Sequence, residues 1–324
     1  MCTSISYKGI HHLFGRNLDL DYTFNQEVVV TPRNFKFNLR NGEIINNHFA
    51  IIGMAVISNH YPLYFDATNE KGLSVAGLNY PKTSHYFNAQ PSHKTITSFE
   101  VIPYILTQCE SVNEVKELFD EITISQEAFS KEFPNSPLHW MVSDSKGSIV
   151  IESNTDGLHI YDNPVGVLTN NPSFPMQLFN LNNYRSLSTK PLANTFCQQL
   201  DMDLYSNGMG AIGLPGDLSS MSRFVRATFT KENILKGQNL EEDIYQFFHV
   251  LNSVEQQKGI CDVGNQEFEY TIYSSCCDTE TGTYYYKTYN NSQINAVNLF
   301  KENLSSSTLS TYPLNIESSI NYTN

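Results

Sequence analysis

The sequence predicts an α+β fold in which two antiparallel sheets lie between helical layers. Three observations predict it. Turn-punctuated strand signals fill most of the first 170 residues, amphipathic helical runs follow, and strand signals return near residue 270. The early strands read as residues 3–7, 27–31 and 50–57. Residues 61–66 and 73–78 flank Asn69-Glu70-Lys71-Gly72, a polar connection of hairpin type, and residues 140–144 and 148–152 flank Ser145-Lys146-Gly147 in the same way. The clearest helix covers 111–122, where Ser111 and Glu114 form a capping box ahead of Val112, Val115, Leu118, Phe119 and Ile122. Two more apolar stripes follow: Met221, Phe224, Val225 and Phe229 after the Pro215-Gly216-Asp217 turn, then Ile244, Phe247, Phe248 and Leu251. Residues 270–273 and 283–286 read as strands again, and the Ser-rich end from Ser305 as a lightly packed extension.

With 40% hydrophobic residues in a chain of 324, there is ample material for a large core. No Pro-, Gly- or Ser-rich linker separates two self-sufficient blocks, so residues 1–324 read as one domain with about 305–324 as its extension. The net charge of −13 comes without a Lys/Arg stripe, which argues against nucleic acid or an anionic membrane surface as partner. The six cysteines lack Cys-x-x-Cys spacing, and the N-terminus has neither a basic nor an apolar leader segment. No run of about 18 apolar residues occurs. A cytoplasmic protein, neither secreted nor membrane-spanning, is expected.

The chemical signal is Cys2. A cysteine behind the initiator methionine becomes the first residue once Met1 is removed, which puts a thiol and a free α-amine on one carbon. Thiols and α-amines titrate within about one pH unit of each other, so proton transfer between them costs little. Such a nucleophile needs a carboxylate to hold its amine, donors for an oxyanion and cationic groups that favour thiolate. Arg16 and Asp19 lie in Gly15-Arg16-Asn17-Leu18-Asp19, read as closing the first hairpin, though an isolated Arg-x-x-Asp run is more often a solvated ion pair. Asn79 and Asn170 sit at strand ends that also read as ordinary turns, and Arg223 and Arg226 sit three apart on a helix.

Together these segments resemble the choloylglycine hydrolase family of N-terminal-nucleophile (Ntn) hydrolases, which includes bile salt hydrolases and penicillin V acylases. The most specific stretches are Phe14-Gly15-Arg16-Asn17-Leu18-Asp19, Asn69-Glu70-Lys71-Gly72-Leu73, Ala76-Gly77-Leu78-Asn79-Tyr80-Pro81 and Leu168-Thr169-Asn170-Asn171-Pro172. A fifth runs from Leu214 through Pro215-Gly216-Asp217-Leu218 to Arg223-Phe224. Residues 177–184 resemble the helix that follows the family's asparagine motif. The resemblance implies the four-layer αββα sandwich, with Cys2 as nucleophile, Asp19 orienting its amine and Arg16 beside the sulfur. It further implies that the Asn170 side chain and the Asn79 backbone N–H meet the oxyanion, and that Arg223, rather than Arg226, holds the constellation in register. It implies no metal or cofactor, a homotetrameric assembly, and conjugated bile salts as substrates.

Asn79 favours the bile salt branch, because the acylase branch resembles a tyrosine pattern at that position. An apolar trough for a steroid would draw on Leu18, Leu20, Phe24, Phe65, Phe129, Phe133 and Leu138, read as loop residues bordering Cys2. The stretch Phe129-Ser130-Lys131-Glu132-Phe133-Pro134-Asn135-Ser136-Pro137 reads as a lid. A penicillin V acylase would use the same machinery, a class II glutamine amidotransferase would need a synthase partner, and a non-catalytic ligand-binding protein would survive loss of the thiol. None of the nine histidines falls in a triad motif, and His11 and His12, next to a turn, read as solvated.

Overall fold

In the computed structural model, which describes residues 1–88, 94–318 and 320–324, the chain begins as strand Cys2–Lys8. It folds back through Gly9, Ile10 and His11 onto His12–Leu20, so that Cys2 faces Leu18 and Ser4 faces Arg16. Gly15-Arg16-Asn17-Leu18-Asp19 therefore lies inside the second strand instead of closing the hairpin. Gly15 has a steric reason to be there: a Cβ would come within 2.0 Å of the Ser275 carbonyl oxygen on the neighbouring strand.

Among the described residues, two large antiparallel sheets form. The first runs Val167–Leu168, Cys2–Lys8, His12–Leu20, Glu267–Asp278, Thr283–Thr288, Asn291–Asn298, with Cys261–Gly264 paired to Glu267–Asp278. The second runs Gly157–Asp162, Gly147–Asn154, Leu138–Asp144, Ser74–Asn79, Tyr61–Asn69, Ile51–Ser58, Glu27–Thr31, Ser310–Pro313. The two-residue period of a strand divides the core. Val28, Val30, Ile52, Met54 and Met141 join Ile5 and Phe14 of the first sheet, whereas Val29, Ile51, Ala55, Val142 and Ile151 point to the second sheet's other face.

Helices α1 (Val101–Gln108) and α2 (Val112–Phe119) cover that other face. After α3 (Phe174–Asn180), helices α4 (Ser220–Asn233) and α5 (Leu240–Asn252) pack on the first sheet through Phe224, Phe247 and Leu251. The layers are helix, sheet, sheet, helix, the αββα sandwich expected. Among the described residues no helix is long and apolar enough to cross a membrane.

Four details differ from the sequence reading. The helix expected over 111–122 stops at Phe119, and Ile122 opens a short strand, Ile122–Ser125. The helix expected over 177–184 starts earlier, at Phe174, and tightens into a 3₁₀ turn over Leu181–Tyr184. His12 is buried, because it points into the hydroxyls of Ser6, Ser143 and Thr279, while His11 keeps partial exposure; His93 lies outside the described residues. The C-terminal segment is not merely a loose extension, since Ser310–Pro313 pairs with Glu27–Thr31 and completes a sheet edge; Ser319 lies outside the described residues.

Candidate active site

Pairing of Val167–Leu168 with Ile5 and Ser4 carries the chain past Cys2, so the next residues, Thr169 and Asn170, fall beside it. The Cys2 nitrogen donates to Asn170 Oδ1 at 2.9 Å. With Met1 in place this nitrogen is an amide, and it stands in for the α-amine that Met1 removal would leave. The α-ammonium of Met1 bonds the Asp19 carbonyl and Glu269 Oε1, the latter at 2.8 Å.

Arg223 reaches the same point from α4, on whose inner face it sits one turn before the buried Ala227. Its Nη1 donates to the Cys2 carbonyl and to Thr3 Oγ1 (2.7 Å), its Nη2 to Asn170 Oδ1 (2.7 Å) and its Nε to the Leu218 carbonyl (2.9 Å). These partners fix the Asn170 amide. Oδ1 accepts from an arginine and an N–H, so Nδ2 turns to the Asn79 carbonyl at 2.6 Å and keeps a second hydrogen to offer. Ser220 Oγ accepts from the Asn170 N–H, and Gln177 Nε2 donates to its carbonyl.

Asp19 lies fully buried with Arg223 Nη1 at 4.0 Å, Thr271 Oγ1 at 2.6 Å and Gln256 Nε2 at 3.3 Å. Burial pushes its carboxyl pKa up against the opposing pull of Arg223, the N-terminal ammonium and Thr271. A bulge in Glu267–Asp278 between Thr271 and Tyr273 aims Thr271 at Asp19 and Tyr273 at Asp66.

Arg16 is also fully buried. Nη1 donates to the carbonyls of Phe65 (3.0 Å) and Gly77, while Nη2 has no hydrogen-bond partner among the described residues. Burial works against its charge, and the neighbouring Cys2 sulfur, Tyr273, Asp66 and Asp19 outweigh burial and raise its pKa. Asp66 in turn accepts from Tyr273 (2.7 Å), Tyr284 (2.7 Å) and Ser275 (3.1 Å). Isolated Arg-x-x-Asp runs are commonly solvated; here the second strand is covered on both faces, and both side chains are interior.

Cys2 and Arg16 open onto a cavity of about 340 Å³. All seven residues expected to border a trough line it: Leu18, Leu20, Phe24, Phe65, Phe129, Phe133 and Leu138. Leu18, Leu20, Phe65 and Leu138 do so from strands and not from loops. Asn79 lines the cavity as well. The aromatic wall is continuous, with Phe24 against Phe65 (ring centroids 5.5 Å apart) and Phe133 (6.4 Å), and Phe133 against Phe129 (6.3 Å). Arg40 packs against Phe129 of this wall without lining the cavity itself. Its guanidinium lies 5.6 Å from the Phe99 ring centre and 5.5 Å from that of Phe129, and it bonds the Phe129 carbonyl and Glu127.

The structure therefore brings Cys2, Arg16, Asp19, Asn79, Asn170 and Arg223 together and leaves Arg226 aside, bonded to the carbonyls of Pro215 and Asp217. Sequence reasoning missed Asp66, Tyr273, Thr271 and Gln256, which meet the site from elements far apart in the chain. It also missed Tyr22, Phe99 and Ile102 of the cavity wall. Only the dense tyrosines of Glu267–Asp278 and Thr283–Thr288 signalled buried hydroxyls in need of an acceptor.

The family model for linear amide C–N hydrolases, choloylglycine hydrolase family, matches residues 2–312. The bile salt hydrolase/transferase of Lactiplantibacillus plantarum is 53% identical over 317 residues, covering 98% of each chain. A cysteine-to-alanine mutant of the conjugated bile acid hydrolase from Clostridium perfringens superposes with a TM-score of 0.93 at 37% identity over 100% of both chains. The penicillin V acylase of Agrobacterium tumefaciens shares the fold, with a TM-score of 0.76 at 22% identity over 96% of this chain and 91% of its own.

Proposed function

Because the chain belongs to the choloylglycine hydrolase family of linear amide C–N hydrolases, we propose that it cleaves the amide of glycine- or taurine-conjugated bile salts with Cys2 as nucleophile. The observation that carries this reading is the placement of Cys2 and Arg16 on an aromatic cavity of about 340 Å³. A flat apolar acyl group fits such walls, and the reacting thiol lies where that group's carboxyl end would stop.

After Met1 removal the α-amine takes the Cys2 proton, and the thiolate attacks the amide carbon. Arg16, with its free Nη2, favours the thiolate. The second hydrogen of Asn170 Nδ2 and the Asn79 backbone N–H then meet the oxyanion, each contributing roughly 2.7 to 4 kcal/mol in the manner of other oxyanion donors. The α-ammonium protonates the departing glycine or taurine nitrogen, leaving a thioester. The amine next takes a proton from water, whose hydroxide releases free bile acid and restores the thiol. Asp19 holds the ammonium's charge, and Arg223 fixes Asn170.

Residues 1–324 act in this reading as one Ntn-hydrolase domain, assembled as a homotetramer; the exposed side chains Phe179, Phe196 and Tyr205 support an assembly surface. Purified protein incubated with glycocholate, taurocholate and penicillin V tests the reading. Release of glycine or taurine at higher kcat/KM than phenoxyacetate is the expected result, and cleavage of none of the three overturns it.

A further inference from the structure

His139 stands behind the oxyanion side of the site and touches neither Cys2 nor the cavity. It is fully buried on strand Leu138–Asp144. Its Nε2 lies 2.9 Å from the Thr169 carbonyl, and since a carbonyl only accepts, that nitrogen carries a proton. Its Nδ1 lies 3.1 Å from Glu152 Oε1, which also accepts from the Phe174 N–H at 2.9 Å. The ring stacks flat on Tyr80, with centroids 4.3 Å apart and planes 4° from parallel. Thr169 precedes Asn170 and Tyr80 follows Asn79. One buried imidazole thus grips both chain segments that supply the oxyanion donors, next to the direct 2.6 Å bond from Asn170 Nδ2 to the Asn79 carbonyl.

We propose that His139, oriented by Glu152, is a positioning residue that sets the spacing between Asn79 and Asn170 for the oxyanion. The inference rests on the functional reading above. A buried polar ring in an apolar layer is costly unless each nitrogen is satisfied; here Nε2 meets the Thr169 carbonyl on the Asn170 segment, and Nδ1 meets Glu152 on the adjacent strand Gly147–Asn154. Glu152 extends the grip to the first turn of α3, so the Asn170 segment is held on both sides of its turn. Displacement of an oxyanion donor by a fraction of an ångström weakens the transition state more than bound substrate.

Steady-state kinetics on the favoured conjugate, alongside the rate of Cys2 alkylation by iodoacetamide, tests this. His139→Phe keeps the ring stack and removes both ring-nitrogen contacts. The expected result is a fall in kcat of about tenfold to hundredfold, KM within about twofold, and an unchanged alkylation rate. His139→Gln, whose amide can still donate to the Thr169 carbonyl, should recover part of the loss. Glu152→Gln, which keeps an acceptor for Phe174 but loses the charge, should show the same kcat-specific fall and carries the test if His139→Phe does not fold. Turnover within twofold of wild type in the folded variants overturns the inference, as does a loss matched by slower alkylation. Wild-type protein that cleaves none of the conjugates instead overturns the functional reading, and that result is seen before any variant is made.

Discussion

Arg223 Nη2 donates to Asn170 Oδ1 at 2.7 Å, so a helix and a strand end are locked at the same oxygen that accepts from the Cys2 nitrogen. The contact decides which way the Asn170 amide faces. Without the arginine, Oδ1 and Nδ2 could exchange, and the hydrogen left for an oxyanion would point elsewhere.

Arg223→Ala should therefore lower kcat at least about a hundredfold and also destabilise the fold, because it strands the buried Asp19 carboxylate at a cost of roughly 3 to 5 kcal/mol. Asn170→Ala removes the amide without stranding a charge, so it should lower kcat with a smaller change in melting temperature. Measured kcat, KM and thermal midpoints separate the two effects. An Asn170→Ala enzyme with intact kcat and raised KM would reassign that side chain to substrate binding.

Cys2→Ala should abolish turnover while preserving the fold, and Cys2→Ser should retain little activity, since a hydroxyl gives up its proton far less readily than a thiol. Iodoacetamide should inactivate by one adduct on Cys2. Cys109, Cys276 and Cys277 are buried, and burial raises the pKa of each thiol; for Cys109 and Cys277 it is pushed up to about 12. Inactivation that maps to any other cysteine, or full activity in protein whose intact mass includes Met1, would contradict the mechanism.

How much of this was legible in the sequence depends on how local the signal is. Arg16 and Asp19 share one strand, and Asn79, Asn170 and Arg223 each sit in a contiguous motif, so short runs sufficed to find them. Asp66 and Tyr273 are 207 residues apart and meet only because the two sheets face each other, a relation no local pattern encodes. Helix α1 escaped notice for a different reason. Seven of its residues, Val101 to Thr107, are buried, so it lacks the polar face that gives a helix its periodicity, and Pro103 in its first turn reads as a breaker. His12 was misread because a neighbouring turn suggested solvent.

That histidine gives the protein an acid-side weakness. Burial lowers the His12 pKa to about 4, beyond what Asp144 and Asp278 restore and in the same direction as Lys8. The unfolded chain binds the proton more readily, so stability is full above about pH 6.5 and is lost as pH falls toward 4. Between pH 7 and pH 5 the expected loss is about 2 kcal/mol. Asp19 and Asp66, with raised pKa values, act in the opposite direction, so the comparison must be with His12→Gln. Urea unfolding at both pH values should show a smaller drop in the variant; equal drops would show that His12 is not the group responsible.

Arg40 offers a way to loosen the lid without touching the cavity. Arg40→Met removes the cation from the Phe99 and Phe129 faces and the bond to the Phe129 carbonyl. Each cation–π contact contributes about 0.5 to 1 kcal/mol at an exposed site, so a rise in KM of about fivefold is expected. Because the lid lies remote from the scissile bond, kcat should stay within twofold. A fall in kcat with unchanged KM would mean that Phe129 positions the reacting amide.

Substrate preference is the sharpest test of the cavity. Conjugated bile salts should exceed penicillin V in kcat/KM by at least about tenfold, or about 1.4 kcal/mol of differential transition-state binding. The argument is one of shape: Phe24, Phe65, Phe129 and Phe133 form a continuous wall that a fused-ring acyl group covers and a phenoxyacetyl group does not. Replacing Phe129 and Phe133 together with alanine removes two of the four rings of that wall. The loss should fall on KM for bile salts and leave penicillin V nearly unaffected, since contact far from the scissile amide is alike in ground and transition states. Penicillin V cleaved faster by the unaltered enzyme would place the chain with the acylases in substrate choice while leaving the Cys2 chemistry intact.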